Sequence, residues 1–181
     1  AEIKTDETDE YILNNCHKLV DVKELNQLRI EIMRMLNDDL KSKKLFYDAF
    51  RPIIEKIIGC DTAVQKRINL VVQYPNHNEI TPIHSDVEGG DSPFEITIWM
   101  PLTNVYGTKG MYCLDKSFGG SITGLVKKEK KDLQQLVNEY VKQEHFTEMD
   151  YGNALLFNPF LLHGNKINTT KETRFALNWR I

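Results

Sequence analysis

The chain has 181 residues, of which 41% are hydrophobic and 27% are charged, and its formal net charge is -3. This length and composition predict one soluble domain with a buried core, and the small negative charge gives no electrostatic reason to expect nucleic acid as a partner. No apolar stretch is long enough to cross a membrane, and three widely separated cysteines are typical of free thiols in a reducing compartment, so we expect a cytoplasmic protein.

The first third of the chain is predicted to be helical. Asp21 and Glu24 have the spacing of a capping box, and apolar residues then recur at helical spacing over residues 25–40. A second amphipathic stretch covers residues 46–58, and Pro52 within it should kink the helix or restart it. We expect the apolar faces of these helices to pack against the rest of the domain.

From residue 67 the apolar pattern alternates, which is typical of half-buried strands. Each of the runs 68–74, 94–102 and 174–181 has one continuously apolar face. The opposite faces mix polar groups with a few large side chains, namely Asn69, Val71, Gln73, Glu95, Thr97, Trp99, Arg174, Ala176, Asn178 and Arg180. A solvent-facing sheet also alternates, but amides, a tryptophan and two arginines suit the lining of a cavity better than an outer surface.

The short strands and their Gly, Pro and Asn turns favour a mainly β fold with flanking helices. We predict a double-stranded β-helix, that is a cupin-like jelly roll, with the N-terminal helices packed on one sheet. The whole chain, residues 1–181, is then a single domain with a helical part at 1–66 and a jelly-roll core at 67–181. A further helix, inserted between strands, is predicted near residues 129–142.

A metal site is predicted from three side chains. His84 and Asp86 are two residues apart, so on a strand they point to the same side. The pair His77 and Glu79 has the same spacing but lies in a polar loop, where nothing fixes the side chains. His163 ends a strongly apolar stretch and completes a set of two histidines and one carboxylate, the facial triad of non-haem Fe(II) oxygenases.

Arg174 is the fourth residue of the predicted site. It follows His163 by eleven residues and begins the last strand, so a hairpin would bring it back beside the metal on the cavity face. A guanidinium can hold a carboxylate with two parallel hydrogen bonds. We therefore expect Arg174 to bind the far carboxylate of a 2-oxo diacid that chelates the metal through its other end.

With these residues in place, the chain from about residue 67 to 181 resembles the Fe(II)- and 2-oxoglutarate-dependent oxygenases. It looks most similar to the phytanoyl-CoA-dioxygenase-like oxygenases of bacterial carbohydrate and streptomycin-type biosynthetic clusters. The stretches that carry the resemblance are INLVVQYP, HSDVEGGDSPFEITIWMPLTN, TKGMYCL and LLHGNKINTTKETRFALNWR.

The resemblance implies an Fe(II) site at His84, Asp86 and His163, and a site at Arg174 for the C5 carboxylate of 2-oxoglutarate. Further contacts to this cosubstrate are expected from polar residues on the mixed strand faces: Asn69, Gln73, Thr97, Asn178 and Arg180. The resemblance also implies that O2 converts 2-oxoglutarate to succinate and CO2 while a small substrate is oxidised. Halogenating relatives lack the carboxylate that Asp86 supplies, so its presence favours hydroxylation or a related oxidation.

The expected substrate is a small carbohydrate-type metabolite, such as a sugar, a nucleotide sugar or a cyclitol. Asp91 and Ser92 lie in a loop at the expected mouth of the site, where they either bond substrate hydroxyls or cap a tight turn. Further candidates for contact with the substrate, by their positions, are Trp99, Tyr106, Lys109 and Tyr112.

A second interpretation is a cupin without oxygenase activity, either a metal-dependent isomerase or a sugar-binding barrel. Cupins usually have a second histidine where Asp86 stands, and Glu88, four residues after His84, imitates their pattern only in part. Fe(II)-dependent formation of succinate from 2-oxoglutarate distinguishes the two interpretations.

Overall fold

The computed structural model describes residues 8–129, 132–142 and 145–181. Within these ranges the chain forms α-helices at Asp9–Asn14 (α1), Cys16–Leu19 (α2), Leu25–Asp38 (α3), Leu40–Ile57 (α4), Lys116–Glu129 (α5) and Leu133–Tyr140 (α6). It forms β-strands at Asn69–Gln73 (β1), Thr97–Pro101 (β2), Tyr112–Leu114 (β3), Leu155–Phe157 (β4), Leu162–Gly164 (β5) and Arg174–Arg180 (β6). None of the described helices is both long and apolar enough to span a membrane.

Short polar side chains start the two long N-terminal helices. The carboxylate of Asp21 accepts the backbone N–H of Lys23 at 2.9 Å, in a 3₁₀ turn at Val22–Glu24 that leads directly into α3. Asp39 accepts two backbone N–H groups in the first turn of α4. Helix α4 continues through Pro52, so this proline removes one helical hydrogen bond but does not restart the helix.

The strands form two antiparallel sheets. The larger sheet has the order β1-β6-β2-β4, and the smaller one pairs β3 with β5. Strand β6 is therefore central in the larger sheet, with Gln73 of β1 opposite Arg174 and Thr97 of β2 opposite Arg180. This register collects the polar side chains of three strands on the same face.

The apolar face of the larger sheet packs against the N-terminal helices, as the alternating pattern predicts. The residues of this core in the strands or directly beside them are Ile68, Leu70, Val72, Tyr74, Ile98, Phe175, Leu177, Trp179 and Ile181. Phe46 and Ile54 of α4 join them, and Phe46 contacts Trp179 edge-to-face at 5.2 Å between ring centroids. Phe94 is an exception, because it precedes the strand and is 91% exposed.

The opposite face of the larger sheet is turned toward β5 and the turn before β3. A small buried cluster there contains Trp99, Val105, Met111, Phe157 and Ala176. The polar side chains that were predicted to line a cavity lie next to this cluster. The interior between the two sheets is thus partly apolar and partly polar.

The helical insertion consists of two helices rather than the single one predicted near residues 129–142. Helix α6 corresponds to the predicted helix, whereas α5 was not expected. Asp132 caps α6 by accepting the backbone N–H of Gln135 at 2.7 Å. Leu136 and Val137 of α6 are buried against Tyr112 of β3, which covers the outer side of the smaller sheet.

Candidate metal centre

His84, Asp86 and His163 meet between the two sheets, and one ligand atom from each lies within 4.8 Å of the others. The Nε2 atoms of His84 and His163 are 3.7 Å and 3.8 Å from the same oxygen, Oδ1 of Asp86. Asp86 and His163 are buried, while the His84 side chain is 35% exposed. Three ligand atoms are therefore gathered from positions up to 79 residues apart, since 163 − 84 = 79.

The two histidines are brought together by backbone pairing. The N–H of each donates to the carbonyl of the other at 3.0 Å, and their ring centroids are 4.3 Å apart. Asp86 is not on a strand: it begins a 3₁₀ turn at Asp86–Gly89. Asp86 therefore faces His84 because of the turn that follows the paired histidines, and not because side chains alternate along a strand.

Glu88 belongs to the same turn and has a structural partner. Its carboxylate accepts the backbone N–H of Ser85 at 3.2 Å. Glu88 is also outside the group of side chains whose ligand atoms converge. The geometry therefore favours Asp86 over Glu88 as the acidic ligand, which removes the main residue-level support for the cupin interpretation.

Both imidazoles are held in the form that a metal needs. The Nδ1 of His84 lies 2.9 Å from the carbonyl oxygen of Pro82, and the Nδ1 of His163 lies 2.9 Å from that of Leu161. A carbonyl oxygen can only accept, so each Nδ1 carries a hydrogen and each Nε2 is the ring nitrogen left for a metal. Burial lowers the pKa of His163, which also favours the neutral ring. In many metal-binding histidines, the ring nitrogen that does not bind the metal donates a hydrogen bond to a backbone carbonyl.

Two side chains fix the carboxylate of Asp86. The hydroxyl of Thr97 donates to Oδ2 at 2.8 Å, and Nη2 of Arg180 donates to Oδ1 at 3.2 Å. Thr97 and Arg180 are opposite each other on β2 and β6. The orientation of the Asp86 carboxylate thus depends on the central strands of the larger sheet.

Arg180 has further carboxylate partners at the rim of the site. Its Nη2 lies 2.8 Å from Asp91 and its Nε 3.0 Å from Glu95. Asp86, Asp91 and Glu95 form a second group of converging acidic ligand atoms, and the guanidinium of Arg180 pairs with each member of that group. The guanidinium of Arg180 therefore supplies the positive charge at the centre of this acidic group.

Next to the histidines is a cavity of about 120 Å³. The predicted residues that line it are Val71, His84, Asp86, Trp99, His163, Arg174, Asn178 and Arg180. Five others were not predicted to line it, namely Thr81, Met111, Phe157, Gly164 and Asn165. Asn165 follows His163 by two residues, and that spacing on a strand could have identified it.

Arg174 is buried in the wall of this cavity without an acidic partner among the described residues. Its Nη1 lies 3.4 Å from the carbonyl oxygen of Lys109 and 3.3 Å from that of Gly110, and its Nε is buried with no hydrogen-bond partner. Burial lowers the pKa of the Arg174 guanidinium to about 10, so the group remains a cation at neutral pH. A buried, uncompensated cation is costly, and an anionic ligand would offset that cost.

The other residues predicted to bind 2-oxoglutarate have different surroundings. Asn178 lines the cavity, and its buried Oδ1 has no hydrogen-bond partner among the described residues. Gln73 donates to the carbonyls of Glu79 and Lys166 at 3.1 and 2.8 Å, which fixes the chain around it. Asn69 is not among the cavity-lining residues. The structure therefore brings Arg174, Asn178 and Arg180 to the cavity, with Thr97 behind Asp86.

The residues predicted to contact substrate separate into three locations. Trp99 lines the metal cavity. Asp91 and Ser92 line a larger neighbouring recess of about 530 Å³, which shares Arg180 with that cavity. Tyr112 does not reach either space, because it is fully buried against α6. Of the two loop residues, Tyr106 is exposed, but Lys109 is fully buried rather than solvated.

No family model matches this chain, and no curated protein matches it. Solved structures share its fold: EvdMO1 aligns with a TM-score of 0.56 and 15% identity over 78% of this chain. The non-heme monooxygenase ThoJ in complex with nickel gives 0.53 and 17% over 77%. SnoN, a non-heme alpha ketoglutarate dependent epimerase from nogalamycin biosynthesis, gives 0.53 and 15% over 90%.

These similarities establish a common arrangement of helices and antiparallel sheets. The chain spans 32% of EvdMO1, 52% of ThoJ and 74% of SnoN. At 15–17% identity, the fold is what these proteins share with this chain. Any chemistry has to be argued from the residues of this chain itself.

Proposed function

We propose that this chain is a single-domain Fe(II)- and 2-oxoglutarate-dependent oxygenase. The observation that carries the proposal is the combination of three ligand atoms with a buried guanidinium in one cavity. His84, Asp86 and His163 offer two neutral nitrogens and one anionic oxygen, the donor set typical of non-haem Fe(II). Arg174 adds the carboxylate-binding group that a 2-oxo diacid requires.

The wider fold is consistent with this proposal. We assign the two antiparallel sheets to the two sides of a double-stranded β-helix, with the metal site between them. ThoJ is described as a non-heme monooxygenase and was solved with nickel, and SnoN is described as alpha ketoglutarate dependent. Both descriptions belong to those proteins, and they make the same chemistry a reasonable proposal for a chain with the same fold and this donor set.

Each residue of the site has a separate task. Fe(II) held by the three ligands would supply the redox chemistry that activates O2 for decarboxylation of 2-oxoglutarate to succinate and CO2. Thr97 and Arg180 keep the carboxylate of Asp86 oriented. The side chains of Trp99, Met111 and Phe157 form the apolar wall that limits water at the cavity.

Arg174 binds and orients the cosubstrate. A carboxylate at this position would accept the hydrogen of the buried Nε and gain a full charge–charge interaction in a site of low polarity. Asn178 adds a buried amide in the same wall. These contacts hold one end of 2-oxoglutarate so that its other end meets the metal ligands.

We assign the prime substrate to a small carbohydrate-type metabolite such as a sugar, a nucleotide sugar or a cyclitol, and the reaction to hydroxylation. Support comes from the recess beside the metal cavity, which combines the carboxylate of Asp91 and the hydroxyl of Ser92 with the exposed ring of Phe94. Carboxylates accept hydrogen bonds from hydroxyl groups, and an aromatic face packs on the apolar side of a sugar ring.

The deciding experiment measures succinate formed from 2-oxoglutarate by the metal-free protein with and without added Fe(II), O2 and a panel of sugars, nucleotide sugars and cyclitols. We expect succinate only when Fe(II) and O2 are both present, with more succinate when a substrate is added. Conversion of a sugar without O2 and without succinate would replace the oxygenase by a cupin-type isomerase.

The chain provides its own control for the ligand assignment. His163→Ala should abolish succinate formation and weaken Mn(II) binding by the ligand-free protein, measured by calorimetry. His77→Ala removes the histidine of the other H-x-acid pair, which lies outside the converging group. We expect this variant to bind Mn(II) and form succinate as the unchanged protein does. Equal behaviour of the two variants would remove His163 from the site.

A further inference from the structure

Lys109 is a fully buried lysine that the proposed function does not use. Its Nζ donates to Oδ1 of Asn14 at 2.6 Å and to Oε2 of Glu172 at 2.7 Å, and it lies 5.6 Å from the ring centroid of Tyr106. Its exposure is 0% although its partner Glu172 is 35% exposed. Lysine is rarely buried so completely, so this arrangement calls for a specific reason.

The backbone of the same residue contacts Arg174. The carbonyl oxygens of Lys109 and Gly110 lie 3.4 and 3.3 Å from Nη1 of Arg174, and these are the hydrogen bonds of its guanidinium within the described chain. Lys109 ends a 3₁₀ turn at Gly107–Lys109. A Cβ at Gly110 would collide with the carbonyl oxygen of Thr147, so the turn is packed closely and its carbonyls have a defined position.

The side chain of Lys109 also fixes the chain on the other side of Arg174. Glu172, its acidic partner, is two residues before Arg174. Asn14, its neutral partner, has a backbone carbonyl that accepts the N–H of Thr173 at 2.8 Å. The ammonium group of Lys109 thus connects three parts of the chain. These are the end of α1, the turn that contacts the guanidinium of Arg174, and the two residues that precede Arg174.

We propose that Lys109 is a positioning residue for Arg174, and this inference rests on the proposed function. By holding the turn and residue 172 together, it keeps two carbonyls against Nη1. The remaining donors of the guanidinium, Nε among them, are then available to the carboxylate of 2-oxoglutarate. Arg174 touches the cosubstrate, and Lys109 acts through Arg174.

A purely stabilising role would give a different result on substitution. An apolar side chain of similar length could fill the space of Lys109 without burying a charge, and such replacements are often neutral for stability. It would remove the ion pair that holds Glu172 against the turn. The informative measurement is therefore the affinity for 2-oxoglutarate, compared with the affinity for the metal.

The test uses Lys109→Met and a matched control, Asn37→Ala. Asn37 also links two segments through partly buried contacts, because its side chain donates to the carbonyl of Ile68 and accepts its N–H, each at 2.9 Å. It lies on the helix side of the larger sheet, away from the cavity. Mn(II) affinity, 2-oxoglutarate affinity of the Mn(II)-loaded protein, and thermal stability are measured for each variant by calorimetry.

We expect Lys109→Met to weaken 2-oxoglutarate binding roughly tenfold, the order seen when a group behind a binding residue is removed, with Mn(II) affinity unchanged. Asn37→Ala should lower the unfolding temperature without changing either affinity. If Lys109→Met does not fold, Glu172→Gln is used instead, since it removes the charge but keeps an acceptor. We expect a smaller loss of 2-oxoglutarate affinity from this variant.

The outcomes separate the inference from the function on which it rests. Normal 2-oxoglutarate affinity in the substituted protein overturns the positioning role and leaves the oxygenase proposal intact. Equal weakening by Asn37→Ala also overturns it, because the effect would then follow stability. Absence of 2-oxoglutarate binding in the unchanged protein overturns both.

Discussion

The two arginines of strand β6 occupy opposite electrostatic environments. Arg180 pairs with three carboxylates, those of Asp86, Asp91 and Glu95, and its side chain is 15% exposed. Arg174 is fully buried and pairs with none among the described residues. The two are six residues apart, about 20 Å along a strand, and their side chains are on the same face.

This difference is that between a cation whose charge the described residues balance and one whose charge they leave unbalanced. The charge of Arg180 is already balanced by the protein, which uses it to orient a metal ligand and to connect the loop at the rim. The charge of Arg174 is unbalanced, and a protein retains such a group at a cost to its stability. A role in binding an anion is a physical reason for retaining it.

The largest expected effect is that of Arg174→Met. We expect it to weaken 2-oxoglutarate binding at least about 30-fold, because a buried charge pair is worth about 2 kcal/mol or more when one partner is removed. The ligand-free protein should unfold at the same or a higher denaturant concentration, since the substitution removes an uncompensated buried charge. Calorimetry with 2-oxoglutarate and urea unfolding measure the two quantities.

Arg67→Met is the control for this prediction, because Arg67 is exposed and precedes β1. It should change neither the affinity nor the stability. If Arg174→Met were strongly destabilised and still bound 2-oxoglutarate, Arg174 would be a structural residue, and the contrast with Arg180 would be lost.

The pattern of the strands allowed much of the fold to be predicted, for a physical reason. Side chains alternate along a strand with a period of two. Leu70, Val72 and Leu177 are therefore on the face that packs against the helices, whichever residue is taken as the first of the strand. Strand ends are less determined, and Phe94 was wrongly placed in the core because β2 begins at Thr97. Helix α5 was missed since it contains three glycines, which disfavour a helix when judged locally.

Residues of the candidate site could be named from the sequence, but their contacts could not. The ligand atoms of His84, Asp86 and His163 converge, although Asp86 reaches the group through a 3₁₀ turn instead of a strand. The pairing of Arg180 and the burial of Lys109 depend on which distant segments meet. Nothing in the local sequence around either residue carries that information.

The next effect in size is that of Arg180→Met. Removing the guanidinium leaves three carboxylates close together, so we expect a loss of about 2 kcal/mol in unfolding free energy, below the range for fully buried pairs because the side chain is partly exposed. Urea unfolding is the test, because Arg180→Met should lose stability whereas Arg174→Met should lose none. Two losses of equal size would contradict the distinction between the arginines.

A smaller effect is expected from Thr97→Val, which removes the 2.8 Å hydrogen bond to Asp86. Loss of a group that orients a metal ligand typically weakens metal binding about tenfold, and we expect that for Mn(II) measured by calorimetry. Thr103→Val is the matched control, since Thr103 is also fully buried but its hydroxyl has no hydrogen-bond partner. An equal change in both variants would mean that the hydroxyl of Thr97 does not orient Asp86.

The smallest expected effect is that of Asp91→Asn, which acts on Arg180 from the exposed rim. The pair is 2.8 Å long, but the Asp91 side chain is 36% exposed, so its removal should cost less than about 1 kcal/mol of unfolding free energy. Because solvent screens this pair, the loss should decrease further in high salt. A loss above about 2 kcal/mol that is insensitive to salt would make Asp91 the main counter-charge of Arg180. Arg180 would then serve chiefly to hold the rim loop, and Thr97 alone would orient Asp86.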